Sequence, residues 1–298
     1  MFGYGSYRTA AFVSRRLPIL FAYWFGMRVA DLFYLSDARG RNGVQANLRR
    51  ILAHRGVRYG PSSIRVLSRK TYQHFGKYLI DFFRYSASTF AEIEDRLDIE
   101  RIDHLDRVYA GGRGLILLTA HVGNWEMGAL ALCQKGYPLT AVFRPEGVRQ
   151  VDRLFEAQRR SRGLSLVPIG GAARGMLRAL RDGGIVALLA DRDFTTHRHH
   201  ARFFGADACL PRGPAQLAVR TGVPIVPAFM IRRVDDRFVL RFSPPIMPDG
   251  DVDEVQERIA AILEQVIGEN PFQWFVFEDF WAAAAAGAPG AGPGGDGS

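Results

Sequence analysis

The chain is poor in cysteine. Its 298 residues include two, Cys133 and Cys209, which form neither a disulfide framework nor a spaced metal motif. Both are expected as buried free thiols. A membrane-spanning run is missing too. Leu17 to Met27 holds eleven residues without a charge before Arg28 and Asp31 interrupt it, well short of the roughly 20 that a spanning helix needs. The basic start and short apolar centre also suit a signal peptide. However, no small-x-small cleavage site follows at Met27-Arg28-Val29-Ala30-Asp31. Helix-turn-helix, zinc and aromatic RNA-binding signatures are absent, which speaks against nucleic acid as a partner. Lysine is scarce, with only Lys70, Lys77 and Lys135 among 39 basic residues. Arginine suits bidentate phosphate contacts, but a GC-rich genome explains the bias equally well.

What is present is apolar mass and a lopsided charge. At 48% hydrophobic residues the chain can bury a sizeable core. The net charge is +9, and residues 1–60 carry ten arginines against two aspartates. A basic N-terminal segment suits an anionic surface. Arg15 and Arg16 precede the apolar stretch that holds Trp24 and several other aromatics. This is the composition of an interfacial helix, in contact with the anionic surface of a membrane. The alternative is an ordinary core helix. Residues 40 to 95 read as mainly helical, with Tyr72, Phe75, Tyr78, Leu79, Phe82 and Phe83 forming a wide apolar stripe.

From Arg113 onward the pattern alternates. Expected strands are Leu115–Ala120, Leu139–Phe143, Leu164–Ile169, Ile185–Ala190, Ile225–Ile231 and Phe238–Phe242. Expected helices are Trp125–Gln134, Val151–Ser161, Ala173–Arg181, Pro214–Thr221 and Val252–Ile267. Such alternation predicts an α/β fold, with a largely parallel sheet flanked by helices. Ligands in these sheets bind at the C-terminal ends of strands. His121, Arg144 and Asp191 all fall at such ends. Residues 282–298 are almost all Ala, Gly and Pro and are expected to be disordered.

One stretch organises the rest, Leu115-Ile-Leu-Leu-Thr-Ala-His-Val-Gly-Asn-Trp-Glu126. A buried strand ends at Ala120, the chain breaks at Gly123-Asn124, and a helix restarts with Asn124 as its N-cap. On one continuous helix, His121 and Glu126 would point about 140° apart. With a turn between them, the imidazole is expected to fold across the helix N-terminus and meet the carboxylate. That would leave its other nitrogen to accept a proton. Local spacing attaches no serine, cysteine or metal cluster to the pair, so the nucleophile is expected to arrive on the substrate as a hydroxyl. Backbone N–H groups around Gly123 are candidate oxyanion donors.

The stretch resembles the His-X4-Asp/Glu motif of the glycerolipid acyltransferase superfamily. More closely, His-Val-Gly-Asn-Trp-Glu is similar to the motif of bacterial lipid A late acyltransferases and their relatives, the phosphatidylinositol mannoside acyltransferases. Arg159-X3-Gly163, Asp191-Arg-Asp193, Phe203-Phe-Gly205 and Gly213-Pro-Ala-Gln-Leu-Ala218 follow in that family's order. The likeness spans roughly residues 10 to 281.

This resemblance implies O-acyl transfer from an acyl thioester to a hydroxyl of a membrane glycolipid, with His121 as base and Glu126 as its orienter. The donor would be acyl carrier protein or acyl coenzyme A, with no other cofactor. Gly123, Asn124, Arg144, Arg159, Asp191, Phe203, Phe204 and Gly205 are the expected substrate-binding residues. The division implied is 1–36 as a membrane helix, 37–281 as the acyltransferase domain and 282–298 as the tail. The enzyme would sit peripherally on the cytoplasmic face of the inner membrane.

Arg192 stands where lipid A enzymes usually carry Gln and looks more like the mannoside branch, whereas Glu126 fits the lipid A branch. Both acceptors stay open. Asn270-Pro-Phe-Gln-Trp-Phe resembles the family's Pro-x-Gln-Trp ending, without the arginines that commonly follow. A thioesterase using water with the same dyad is the competing enzyme class. The basic loop Thr195 to Arg202 carries three histidines, but no ligand set at metal spacing completes them. It reads better as a mobile loop over the substrate headgroup.

Overall fold

The apolar run Leu115-Ile-Leu-Leu-Thr119 forms the central strand of the molecule. In the computed structural model, which describes residues 16–85, 90–143, 149–168, 171–192 and 200–282, its side chains alternate between two cores. Ile116 and Leu118 pack into one and Leu115 and Leu117 into the other. A strand buried on both faces needs helices on both faces, and the fold supplies them.

Three helices come first. They are α1 (Ile19–Ser36), α2 (Ala38–His54) and α3 (Pro61–Tyr85). Helix α1 lies against α3, where Gly26 and Gly76 let the backbones approach closely. A Cβ on Gly76 would stand 2.7 Å from the carbonyl oxygen of Gly26. Short elements follow, α4 (Phe90–Glu94), β1 (Leu97–Glu100) and α5 (Asp103–Tyr109).

The alternating part then runs β2 (Leu115–Thr119), α6 (Trp125–Gln134), β3 (Leu139–Phe143), α7 (Arg149–Arg160), β4 (Ser165–Pro168), α8 (Ala172–Arg181) and β5 (Ile185–Leu189). A hairpin of β6 (His200–Phe203) and β7 (Ala206–Cys209) precedes α9 (Gly213–Thr221), β8 (Ile225–Arg232), β9 (Phe238–Phe242) and α10 (Val252–Glu269). A capping box closes the start of α10, with Asp251 and Glu254 each satisfying a backbone N–H of the other's residue.

The seven-stranded sheet has the order β1-β9-β8-β2-β5-β3-β4. Strands β8, β2, β5, β3 and β4 run parallel to one another, while β9 and β1 run the other way. Thus the α/β expectation holds, with an antiparallel edge that periodicity did not show. The five expected helices and six expected strands appear with ends shifted by no more than two residues where described. Strand β1 and the β6–β7 hairpin went unforeseen. They are four residues each, too short for alternation to be diagnostic. His200, Ala201 and Arg202 belong to β6, so the expected loop is strand at its end. The rest of that loop lies outside the described residues, as do Asp193, Arg144, residues 1–15 and residues 283–298. Cys133 and Cys209 are free thiols, but they are partly rather than fully buried.

No helix among the described residues is long and apolar enough to cross a membrane. Helix α1 nevertheless turns Leu20, Phe21, Trp24, Phe25, Leu32 and Leu35 to the outside, while Ala22, Tyr23 and Ala30 face inward.

Candidate active site

Strands β2 and β5 are parallel neighbours, and their register pairs Thr119 with Leu189. Each strand runs out of apolar residues two positions later, β2 at His121 and β5 at Asp191. The register therefore sets these two side by side at the C-terminal ends of adjacent strands. His121 Nδ1 lies 2.9 Å from Asp191 Oδ1, and the backbone N–H of His121 donates to Asp191 Oδ2 at 3.1 Å. The indole N–H of Trp274 donates to the same Oδ2 at 2.8 Å. Asp191 is fully buried, whereas the His121 side chain keeps 19% of its surface exposed. Among the described residues none bonds Nε2, so that nitrogen is the one available to a substrate.

Burial alone would raise the Asp191 carboxyl. The charge and hydrogen bond of His121, with the N–H of Trp274, reverse this and hold it below the usual carboxylate range. A carboxylate that stays ionised beside Nδ1 keeps the proton on that nitrogen and stabilises the imidazolium once Nε2 takes a second.

The turn between strand and helix is held from behind. Gly123 has a φ of 64°, and a Cβ there would lie 2.0 Å from the carbonyl oxygen of Met230. Only glycine fits. Its N–H donates to the Gln273 carbonyl at 2.9 Å, and the N–H of Asn124 donates to the Met230 carbonyl at 2.8 Å. Two of the backbone donors expected here, the N–H groups of Gly123 and Asn124, are thus engaged within the protein. Asn124 caps α6, its side-chain oxygen accepting the N–H of Met127 at 3.1 Å. Its amide N–H2 donates to Asp81 at 3.3 Å.

Glu126 departs from its expected role. The structure gives the carboxylate position against Nδ1 to Asp191, and Glu126 instead forms a two-point ion pair with Arg159 of α7, one hydrogen bond at 3.1 Å and a shorter one. The cause is directional. Glu126 stands in the first turn of α6, and Arg159 reaches it from the last turn of α7. The partner of His121 comes from 70 residues away, a distance that no motif spacing displays. Arg159, expected to bind phosphate, is occupied by Glu126.

The aromatic pair of Phe203-Phe-Gly205 is internal. Phe203 and Phe204 are buried against Trp281, and the N–H of Phe204 donates to Glu264. Phe204 and Gly205 form the tip of the hairpin, both with positive φ. Arg192 pairs with Glu278 at 2.5 Å. Among the described residues no group of His, Cys, Asp or Glu side chains is placed to hold a metal.

Two residues escaped notice as parts of the site, Gln273 and Trp274. They lie in the Pro-x-Gln-Trp segment, which pairs backbone to backbone with the turn after His121 through an antiparallel bridge of Val122 and Trp274. On the open side, Trp125 sets its ring edge-on to His121 at 5.1 Å and stacks on Tyr78 at 4.6 Å. An aromatic wall therefore flanks the imidazole.

The chain is similar to known acyltransferases. A phosphatidylinositol mannoside acyltransferase of Mycolicibacterium smegmatis is 30% identical over 249 residues, covering 82% of this chain and 81% of that protein. One from Mycobacterium tuberculosis is 28% identical over 279 residues, with 88% and 87% covered. A lipid A biosynthesis palmitoleoyltransferase of Escherichia coli is 26% identical over 183 residues, with 59% and 58% covered. Residues 6–282 match the family model for bacterial lipid A biosynthesis acyltransferases. With a match over nearly its whole length, the chain belongs to that acyltransferase family.

Proposed function

We propose that the chain moves a fatty acyl group from an acyl thioester to a hydroxyl of a membrane glycolipid, with His121 as general base and Asp191 orienting it. The carrying observation is the 2.9 Å contact of His121 Nδ1 with a fully buried carboxylate, while the exposed edge of the imidazole is free. Nε2 takes the acceptor's proton as its oxygen attacks the thioester carbonyl. The tetrahedral adduct collapses, the C–S bond breaks, and the thiolate leaves with the proton from the imidazolium. Coenzyme A and acyl carrier protein both supply such a thioester. Glu126 and Arg159 tie α6 to α7 and so keep the turn from rocking.

A mannoside-type acceptor is favoured over a lipid A precursor. The mannoside acyltransferases align over more than four fifths of the chain, against 59% for the lipid A enzyme, and Arg192 fits the same branch. The outward side chains of α1 support seating at the bilayer interface, where Trp24 and Phe21, stacked at 5.6 Å, would lie at headgroup depth. The cytoplasmic leaflet is the side on which acyl thioesters are supplied.

The test is acyl transfer from labelled acyl coenzyme A and acyl carrier protein into total membrane lipid, with wild type beside His121→Ala. Label entering one lipid with wild type alone supports the reading, and that lipid's mass names the acceptor. Equal transfer by the variant removes His121 from the chemistry. Release of free fatty acid without any acylated lipid favours a thioesterase.

A further inference from the structure

A buried carboxylate needs both oxygens satisfied. Asp191 gives one to the His121 imidazole. The other accepts two N–H groups, the His121 backbone and the Trp274 indole. Trp274 is 2% exposed and Asp191 not at all, so the indole donor closes this pocket against water. An indole N–H gives one hydrogen bond and does not ionise near neutral pH. A lysine or arginine here would neutralise the carboxylate and weaken its hold on an imidazolium. The indole satisfies the oxygen and leaves the negative charge for His121.

The placement of Trp274 is tight on both sides. Gly123 donates its N–H to the Gln273 carbonyl at 2.9 Å, and Phe275 donates to the His121 carbonyl at 2.8 Å. The Gln273 side chain clasps both backbone groups of Arg232, at 3.0 and 2.9 Å. The indole is thereby held in register with the turn that carries the base.

We propose that Trp274 is a positioning residue for acyl transfer, its indole N–H locking the Asp191 carboxylate so that Oδ1 stays on His121 Nδ1. This rests on His121 being the base. Among the described residues, the neighbouring charges of Glu126 and Arg192 are paired, with Arg159 and Glu278 respectively. The variable that changes on losing the indole donor is therefore the carboxylate itself. Less restrained and more basic, it raises the affinity of the imidazole for a proton and lets the ring turn.

The same aromatic cluster offers a matched control. Trp281 also donates its indole N–H internally, to the Phe203 carbonyl at 3.1 Å, away from Asp191. Trp274→Phe and Trp281→Phe are compared in the full chain. Acyl transfer is measured with long-chain acyl coenzyme A and purified phosphatidylinositol mannoside, and His121 is titrated by NMR of its imidazole nitrogens. Trp274→Phe lowers kcat about ten- to a hundred-fold with KM little changed and shifts the His121 titration to higher pH. Trp281→Phe leaves both as in wild type. Wild-type kcat with an unmoved titration in Trp274→Phe overturns the proposal, as does an equal loss in Trp281→Phe at equal melting temperature. If Trp274→Phe does not fold, benzothienylalanine at this position removes only the N–H and gives the same two readouts. The titration also separates the two ideas. Transfer that survives His121→Ala removes the base assignment, while the shift in Trp274→Phe still reports on the indole's hold over Asp191.

Discussion

Asp81 and Asp191 are both fully buried carboxylates, yet they are built for different ends. Asp81 accepts Tyr23 at 2.5 Å, Asn124 at 3.3 Å and the guanidinium of Arg232. Arg232 is itself 5% exposed, and its guanidinium also lies 5.0 Å from the centre of the Tyr23 ring. Every partner of Asp81 keeps its proton at any physiological pH. Asp191 instead faces an imidazole, whose second nitrogen is left to accept a proton and which reaches the surface. A buried carboxylate paired with a permanent cation is an anchor, here joining α1, α3, α6 and β8. One paired with an exposed imidazole can take part in proton transfer. Chemistry of the partner and access, not burial, tell the two apart.

That contrast can be broken most sharply at His121, the proposed base. His121→Ala lowers acyl transfer by about 10²- to 10⁴-fold with the melting temperature nearly kept, checked by transfer kinetics beside thermal unfolding. At the anchor the pattern inverts. Asp81→Ala takes the nearer carboxylate from the buried Arg232 guanidinium, leaves it only the longer pairing with Asp236 at 3.5 Å, and costs about 3 kcal/mol of stability, read by urea unfolding. A stable, cooperative Asp81→Ala protein would mean that Asp236 alone is enough to hold Arg232.

The two carboxylates near His121 are separated by a smaller effect. Asp191→Asn moves the His121 titration to lower pH. Glu126→Gln leaves that titration in place while loosening α6 from α7, which imidazole NMR of both variants decides. A shift in Glu126→Gln equal to that in Asp191→Asn would return the orienting role to Glu126.

Trp24→Ser, on the outer face of α1, reduces co-sedimentation with vesicles containing anionic lipid and leaves transfer to detergent-solubilised acceptor intact. A last effect bears on acid stability and is confined to low pH. Burial, then the charges of Arg232 and Lys77, push His74 from 6.5 down to about 3. The unfolded chain takes up a proton that the folded one refuses. The contribution of His74 is therefore complete above pH 6.5 and is lost as pH falls toward about 3. His74→Leu flattens the pH dependence of stability in that window, measured by unfolding midpoints across the pH range.

Much was legible locally. Leu115 to Glu126 displays a strand, a turn and a capped helix within twelve residues, because hydrophobic periodicity and N-cap chemistry act over a few residues. The candidacy of His121 and Asp191 came from the same source, since both end apolar runs that cannot continue into solvent. The exposed apolar face of α1 also follows from its own sequence, though α3 decides which side is buried.

What the chain could not display along its length is who meets whom. Glu126 is five residues from His121 and meets Arg159. Asp191 is 70 residues away and meets His121. Trp274 reaches both only through the bridge to Val122. Local sequence determines which residues end a strand or open a helix, since those choices depend on near neighbours. The parallel register of β2 beside β5, and the docking of the C-terminal segment behind them, arise from burying two cores at once. Only that global packing decided which carboxylate holds the imidazole.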